Sequence, residues 1–334
     1  MRSTCSLYID TGYLLASAAT RATGTSLRSG IHVDYAKLIR SLVDTAEARS
    51  GLPVLRVHWY DSAHNGVPDC QQERIGELSK VKLRLGRFGA GGEQKGVDLR
   101  IGLDLVTHAR NNASDVFFLV SGDDDLTEAV EEAQVHGIQV VLLAVPTMEG
   151  KPHGMSRHLV RAADELDSID SAAIDAAVMK VDRQPAPALA PSAPKPVPMP
   201  STPKPAPARP AAAAAPPAVR KPLDRATVVP APQPTSVLAY SVSTGSPAHG
   251  LPGYIDDTEQ GQLIDEVVQR VLNSFHESAT HDDRLGLQRA RPSVPRDIDR
   301  ALLHDASDVM QRYDLDEDTR FRLRARFWEK YDES

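Results

Sequence analysis

The sequence predicts an α/β fold, a mostly parallel sheet with helices on both faces, followed by a Pro/Ala-rich linker and a small all-α module. Three observations predict it. Short apolar runs alternate with amphipathic stretches through the first half of the chain, in the order β-α-β-α-β-α-β-α-β. Composition then shifts abruptly to proline and alanine, and beyond that shift only helical periodicity remains.

The elements follow in order. Residues 5–10, "CSLYID", form an apolar run that closes on Asp10. In "VDYAKLIRSLVDTAEARS", Asp34 is placed as an N-cap, and Leu38, Ile39, Leu42 and Val43 recur at helical spacing. "LPVLRVHWYDS" reads as a second strand, again ending in an acid, Asp61, and "PDCQQERIGEL" as a short helix. In "KVKLRLGRF" the residues alternate, with Val81, Leu83 and Leu85 on one face and Lys80, Lys82 and Arg84 on the other. After the glycine-rich "GAGGEQKG" come a helix, "VDLRIGLDLVTHARNN", a strand, "DVFFLVS", a helix, "DLTEAVEEAQVHG", and a strand, "IQVVLLAV". "SRHLVRAADELDSID" adds one more helix and a short extended end, so the α/β fold occupies residues 3–170.

Residues 183–250 carry seven Lys or Arg against one acid, Asp224, and too little apolar surface to bury a core. They read as a disordered, polyproline-like linker. Its "PKPVPMP" and "PKPAPARP" have the PxxP spacing that proline-binding modules take. Residues 255–332 read as a helical module: "QLIDEVVQRVLNSF" places Leu263, Val267, Leu272 and Phe275 near one face, and two further helices follow. The last carries Arg320, Arg322, Arg324, Arg326 and Lys330 among Phe321, Phe327, Trp328 and Tyr331. These either pack inside the module or contact RNA or a protein partner.

A length of 334 residues suggests more than one domain, and a formal net charge of −7 gives no global cationic field. Any nucleic-acid contact must therefore come from a local patch. Only Cys5 and Cys70 are present, without zinc-type spacing. The start "MRSTCSLYID" is unlike a signal peptide, and no apolar run approaches 18 residues, so a cytoplasmic protein without a membrane partner is expected.

In a parallel α/β sheet the functional crevice lies beyond the carboxyl ends of the strands, at the switch in strand order. With the five strands ordered 3-2-1-4-5, Asp10 and Asp123 end neighbouring strands, and Asp98 opens the helix that feeds the fourth. Each acid alone reads as a turn or cap residue. Together they form an acidic cluster that is costly unless a cation neutralises it, and oxygen-only ligands favour Mg²⁺ or Mn²⁺. Metal-assisted phosphodiester hydrolysis is the matching reaction class.

The segments "YIDTGYL", "KGVDLRIGLDL", "FFLVSGDDDLTEAV" and "GIQVVLLAVP", with the closing "SRHLVRAADELDSID", resemble the NYN domain, a branch of the PIN-like nucleases. The resemblance implies a Rossmann-like PIN fold and Mg²⁺- or Mn²⁺-dependent ribonuclease activity. Carried over by position, Asp10, Asp98 and Asp123 are metal-binding carboxylates, and Asp125 is the second catalytic acid of the SGD-x-D motif. Asp104 is a weaker candidate, as is Ser121, which braces the Asp123 turn. Asp124 reads as a solvated acid at a helix N-terminus. The sequence departs from the family's pattern at Tyr13, where many members carry Asn.

The basic stripe of Lys82, Arg84, Arg87 and Lys95 is either an RNA contact or an ordinary solvated strand face. Phe88 and Tyr13 are candidates to stack on bases, and Trp59 suits a core position better. The histidines His58, His64, His108, His136, His153 and His158 show no ligand pairing and are expected mainly at the surface. "GAGGEQKG" fits neither the P-loop nor the GxGxxG pattern. The functional expectation is an endoribonuclease cutting RNA at an acidic metal cleft. The alternative is a non-catalytic RNA-binding or scaffold protein on the same fold, and phosphatase or DNase chemistry is a third reading.

Overall fold

The computed structural model describes residues 3–88, 94–181, 257–312 and 315–334. The linker assigned to residues 183–250 lies outside them, as do the side chains of Arg87, Phe88 and Lys95.

The order of elements is β1 (Cys5–Asp10), α1 (Thr11–Thr23), β2 (Ile31–Val33), α2 (Tyr35–Ser50), β3 (Val54–Ala63), α3 (Cys70–Gly76), β4 (Val81–Phe88), β5 (Gln94–Lys95), α4 (Val97–Arg110), β6 (Val116–Val120), α5 (Thr127–Val135), β7 (Gln139–Ala144), α6 (Arg157–Ala162), β8 (Glu165–Ser168), α7 (Ser171–Ala177) and β9 (Val178–Lys180). Seven strands form one sheet in the order β5-β4-β3-β1-β6-β7-β8. All pair in parallel except β5, which runs antiparallel to β4. The five long strands thus take the predicted 3-2-1-4-5 order, and the extended end after α6 adds a parallel edge strand.

Strand alternation divides the apolar residues between two layers. Leu7 and Ile9 of β1, Val57 and Trp59 of β3 and Phe118 and Val120 of β6 pack with α1, α2 and α7 on one face. Tyr8, Tyr60, Phe117 and Leu119 pack with α4, α5 and α6 on the other. Each such fully buried side chain contributes about 1.5–3 kcal/mol relative to exposure. Trp59 is a core residue, as its sequence context suggested.

Two features go beyond the sequence reading. Helix α1 was not visible as a periodic element, because "TGYLLASAATRAT" carries Gly12 and three threonines, all weak helix formers. Tertiary burial of Leu14, Leu15, Ala18 and Ala19 overrides that propensity, and Gly24 closes the helix at φ 79°. The α/β part also runs past residue 170, since β9 returns to pair antiparallel with β2.

The C-terminal part consists of α8 (Asp257–Ser278), α9 (His281–Ala290), α10 (Arg296–Met310) and α11 (Glu317–Glu333). Val267, Val271, Leu302, Leu323 and Phe327 form its core. These helices join the α/β part in one compact unit, and Leu27, fully buried, belongs to their apolar cluster. The arginines of α11 serve this packing. Arg324 makes a two-pronged pair with Asp299, Arg326 pairs with Asp265, and Phe327 and Trp328 are buried.

Candidate active site

The parallel pairing of β1 with β6 sets Cys5 through Ile9 against Val116 through Val120, so Asp10 and Ser121 leave the sheet at the same level. Asp10 is buried and does two things at once. One carboxylate oxygen accepts from the Gly12 amide at 2.8 Å, capping α1, and the other accepts from the Ser121 hydroxyl at 3.2 Å. The fully buried Ser121 oxygen in turn accepts from the Asp123 amide at 3.3 Å. One hydroxyl therefore ties the ends of both strands together. Burial pushes the Asp10 carboxyl up, against the pull of these hydrogen bonds and of Arg28.

Asp98 lies in the first turn of α4, whose N-cap is Gly96 at φ 85°. Its carboxyl is pushed up to about 6, first by burial and then by the negative charges of Asp10, Asp123 and Asp125. The four acids from three separate segments thus share one electrostatic site. Asp123 accepts from the Asp125 amide at 3.0 Å, which turns the chain, and leaves Asp125 exposed.

Asp124 differs from its sequence reading as a solvated acid. It is half-buried, accepts a hydrogen bond from the Ser156 hydroxyl, and so ties the start of α6 to the Asp123 turn. Gly122 is required beside it. A Cβ there would fall 1.8 Å from the Gly154 carbonyl oxygen.

Tyr13 is not presented for base stacking. Its hydroxyl donates to the His153 carbonyl at 2.7 Å and accepts from the Val145 amide at 3.2 Å, and its ring packs against Gly122 and Gly154. It is a post between α1 and the loop after β7.

The basic stripe divides. Lys82 is exposed, whereas Arg84 spends its fork on Asp104, with its Nε donating at 2.7 Å, while the Tyr60 hydroxyl donates to the same carboxylate at 2.9 Å. Asp104 is buried in this pair, and its carboxyl is held below the usual range despite the cost of burial. Arg84 and Asp104 therefore answer each other.

The histidines divide: His136 and His158 are exposed, as expected, His108 and His153 are partly buried, and His58 departs from a surface assignment. His58 is buried and stacks on Tyr8 with ring centres 4.9 Å apart, and burial drives its pKa down to about 3. His108 accepts from or donates to the Tyr8 hydroxyl at 2.9 Å. The His64 side chain lies outside the described residues.

Two further residues at this end were not singled out from sequence. Asp61, one residue beyond the partner of Asp10 on β3, has its carboxyl raised by burial, opposed by the Gln72 amide at 2.8 Å. Arg28 donates to the Gly12 carbonyl at 2.9 Å. A strand ending in "YDS" was the only available signal for the first. A lone arginine in "TSLRSG" offered none for the second.

Among the described residues, no group of three or more Asp, Glu, His or Cys side chains is gathered closely enough to hold a metal ion. The donor set is nonetheless of the right kind. It is all oxygen, and the mutual repulsion felt at Asp98 is what a hard divalent cation would relieve.

The NYN domain model matches residues 5–170. An uncharacterized protein, y4oD of Sinorhizobium fredii, is 36% identical over 98 residues, covering 29% of this chain and 46% of that protein. The chain therefore spans less than half the length of this curated relative. A solved structure of a protein of unknown function, VPA0982 from Vibrio parahaemolyticus, is 21% identical with a TM-score of 0.36, covering 51% of this chain and 94% of that one. No helix among the described residues is long and apolar enough to cross a membrane. Through residues 5–170 the chain belongs to the NYN domain family, a PIN-like nuclease family.

Proposed function

We propose that the protein is a metal-dependent ribonuclease that cuts RNA phosphodiesters at the acid end of the sheet. One observation carries this reading: the ends of β1 and β6 bring Asp10 and the Asp123 turn onto one hydroxyl, Ser121, and Asp98 beside them is pushed up to about 6 by burial and then by the charges of Asp10, Asp123 and Asp125. Such a concentration of carboxylate costs stability, and an all-oxygen set of this kind suits a hard divalent cation. Asp10, Asp98 and Asp123 would hold Mg²⁺ or Mn²⁺, and Asp125 would hold or orient water at its edge. A cation there supplies an activated water and neutralises charge on the phosphodiester. The chain's own residues set the geometry. Ser121 and the Gly12 amide fix the two oxygens of Asp10, and the Asp123 turn is braced by Ser121.

The test is cleavage of single-stranded RNA by the purified protein in Mn²⁺, alongside Asp10→Asn and Asp123→Asn. We expect cleavage that both substitutions abolish. No cleavage, or cleavage that both variants retain, overturns the reading. A second reading, RNA binding without catalysis, is favoured by the spacing of the acids, which are not drawn to ligating distance. It predicts RNA binding with no Mn²⁺-induced rise in melting temperature.

A further inference from the structure

Two segments brace the turns that carry Asp10 and Asp123, and both segments meet one helix, α10. On the Asp10 side, the Arg28 guanidinium donates to the Gly12 carbonyl at 2.9 Å, and the Gly12 amide is the one that Asp10 holds. The residues just before Arg28 are fixed by the C-terminal helices. The Ser26 amide donates to the buried Asp305 carboxylate of α10 at 3.0 Å, and Leu27 is fully buried in the helical apolar cluster.

On the Asp123 side the bracing segment is residues 153–156. The Ser156 amide donates to the Gly122 carbonyl at 2.9 Å, and the Ser156 hydroxyl donates to Asp124. Gly154 presses its carbonyl on Gly122, and the His153 carbonyl accepts from Tyr13 of α1. The His153 ring faces α10. Its Nε2 stands 3.5 Å from an Asp308 carboxylate oxygen, and His304 Nδ1 lies 3.4 Å from the same oxygen. The two ring centres are 6.2 Å apart. Both nitrogens are buried without a hydrogen-bond partner among the described residues, so Asp308 is the polar group they face. Its loss would strand both of them.

Asp305 and Asp308 are three residues apart on α10 and share a face, with their anchor points about 4.5 Å apart along the axis. One rigid helix face therefore reaches both bracing segments. Between the turns themselves the direct tie is the Ser121 hydroxyl, whose bonds of 3.2 and 3.3 Å are long for their kind. Carboxylates that repel one another spread unless their supports are fixed, and a site held in place beforehand binds its ion more tightly.

We propose that α10 sets the spacing of the two acid turns, with Asp305 and Asp308 as positioning residues for the cation site. The proposal rests on the reading of the acid end as the cation site of a ribonuclease. It gives the helical module a role in cis.

The test uses the full chain, calorimetry with Mn²⁺ alone, and amide deuterium exchange in EDTA. Asp308→Ala is the main variant, because this carboxylate is 39% exposed and lies outside the buried face of α10. Lys180→Ala is the control, since it breaks the 2.7 Å pair with Glu277 of α8 that joins the same two parts of the chain through β9. Asp308→Ala should weaken Mn²⁺ binding about tenfold, with Lys180→Ala within about twofold of wild type. Exchange in peptides spanning residues 121–127 and 153–157 should quicken about tenfold in Asp308→Ala alone. At saturating Mn²⁺, kcat on single-stranded RNA should fall about tenfold while KM stays within about twofold. Asp305→Ala should act in the same direction, and Asp305→Asn, which keeps an acceptor for the Ser26 amide, should restore most of the Mn²⁺ affinity. Wild-type Mn²⁺ affinity and exchange in folded Asp308→Ala would overturn the proposal, as would equal losses in Lys180→Ala. A chain whose Mn²⁺ affinity depends on Asp308 but which never cuts RNA refutes the ribonuclease reading and leaves the positioning role standing. A chain that cuts RNA equally well without Asp308 refutes the positioning role alone.

Discussion

Asp98 and Asp104 lie six residues apart on the same helix, and the fold puts them to opposite uses. Asp98, in the first turn of α4, faces other carboxylates and is pushed up to about 6. Asp104, two turns on, meets the Arg84 fork and the Tyr60 hydroxyl and is held below its ordinary value. Both are desolvated, so burial alone does not decide. The neighbours do: Asp104 has a cation and a donor, and Asp98 has three like charges. One acid is paired within the fold, and the other is held at an electrostatic cost.

Substitution at each should separate these roles. Asp98→Asn should lower RNA cleavage at least about a hundredfold, equivalent to about 3 kcal/mol of barrier, with Asp104→Asn staying within a few-fold of wild type. Steady-state rates on one RNA substrate check this. Comparable losses in both variants would erase the distinction.

The next effect runs the other way. Asp104→Asn leaves Arg84 and the buried Tyr60 hydroxyl without their anion and should cost about 2 kcal/mol, with the melting temperature lowered by about 4–8 °C. Arg84 is partly exposed, so the figure sits below that of a fully buried pair. A cycle with Arg84→Gln should return a coupling of about 1 kcal/mol in denaturant unfolding. Additive losses would show that the pair does not act as a unit.

Smaller still is a gain. With divalent cations removed, Asp98→Asn should raise stability by about 1–2 kcal/mol, since it deletes the charge that its neighbours oppose, discounted for partial solvent screening. Adding Mn²⁺ should raise the melting temperature of the wild type and leave this variant unmoved. A variant less stable than wild type in EDTA would contradict the assigned repulsion.

How much of this pair could be read from sequence follows from what each partner depends on. Asp10, Asp98 and Asp123 were legible because strand ends in a parallel sheet converge by topology, and alternating apolar runs reveal where strands end. The Asp104–Arg84 pair depends on which face of β4 lies under α4, and strand alternation supplies two faces without naming the layer above each. Tyr13 and Asp124 were misread for a related reason. Their partners, His153 and Ser156, lie in a loop whose path no periodicity reports. Arg28 was the least legible. Its neighbour Leu27, one apolar residue in "RATGTSLRSG", joins the apolar cluster of the C-terminal helices, which lie far along the chain. The arginine-rich α11 drew attention by count, yet Arg324 and Arg326 are matched by Asp299 and Asp265.

The finest test of the comparison is pH. An acid whose folded pKa is raised binds its proton more tightly in the native state, so stability falls as pH rises between its unfolded and folded values. For Asp98 that window runs from about 4, the unfolded value, up to about 6. For Asp104, with its folded pKa depressed, the sign reverses: its contribution is fully present above about 4 and is lost as pH falls through its folded value. In EDTA, therefore, the difference in unfolding free energy between wild type and Asp98→Asn should widen from pH 4 to 6 and then stay level. The corresponding difference for Asp104→Asn should be flat over that range and shrink only below it. Asp10 and Asp61 also titrate high, but they remain in every variant, so subtraction removes most of their share. Because Asp10 and Asp98 repel, removing one eases the other, and the observed window belongs to the pair. Denaturant melts at half-unit pH steps would show it. Two parallel difference curves would mean that the two acids of α4 sit in equivalent surroundings after all.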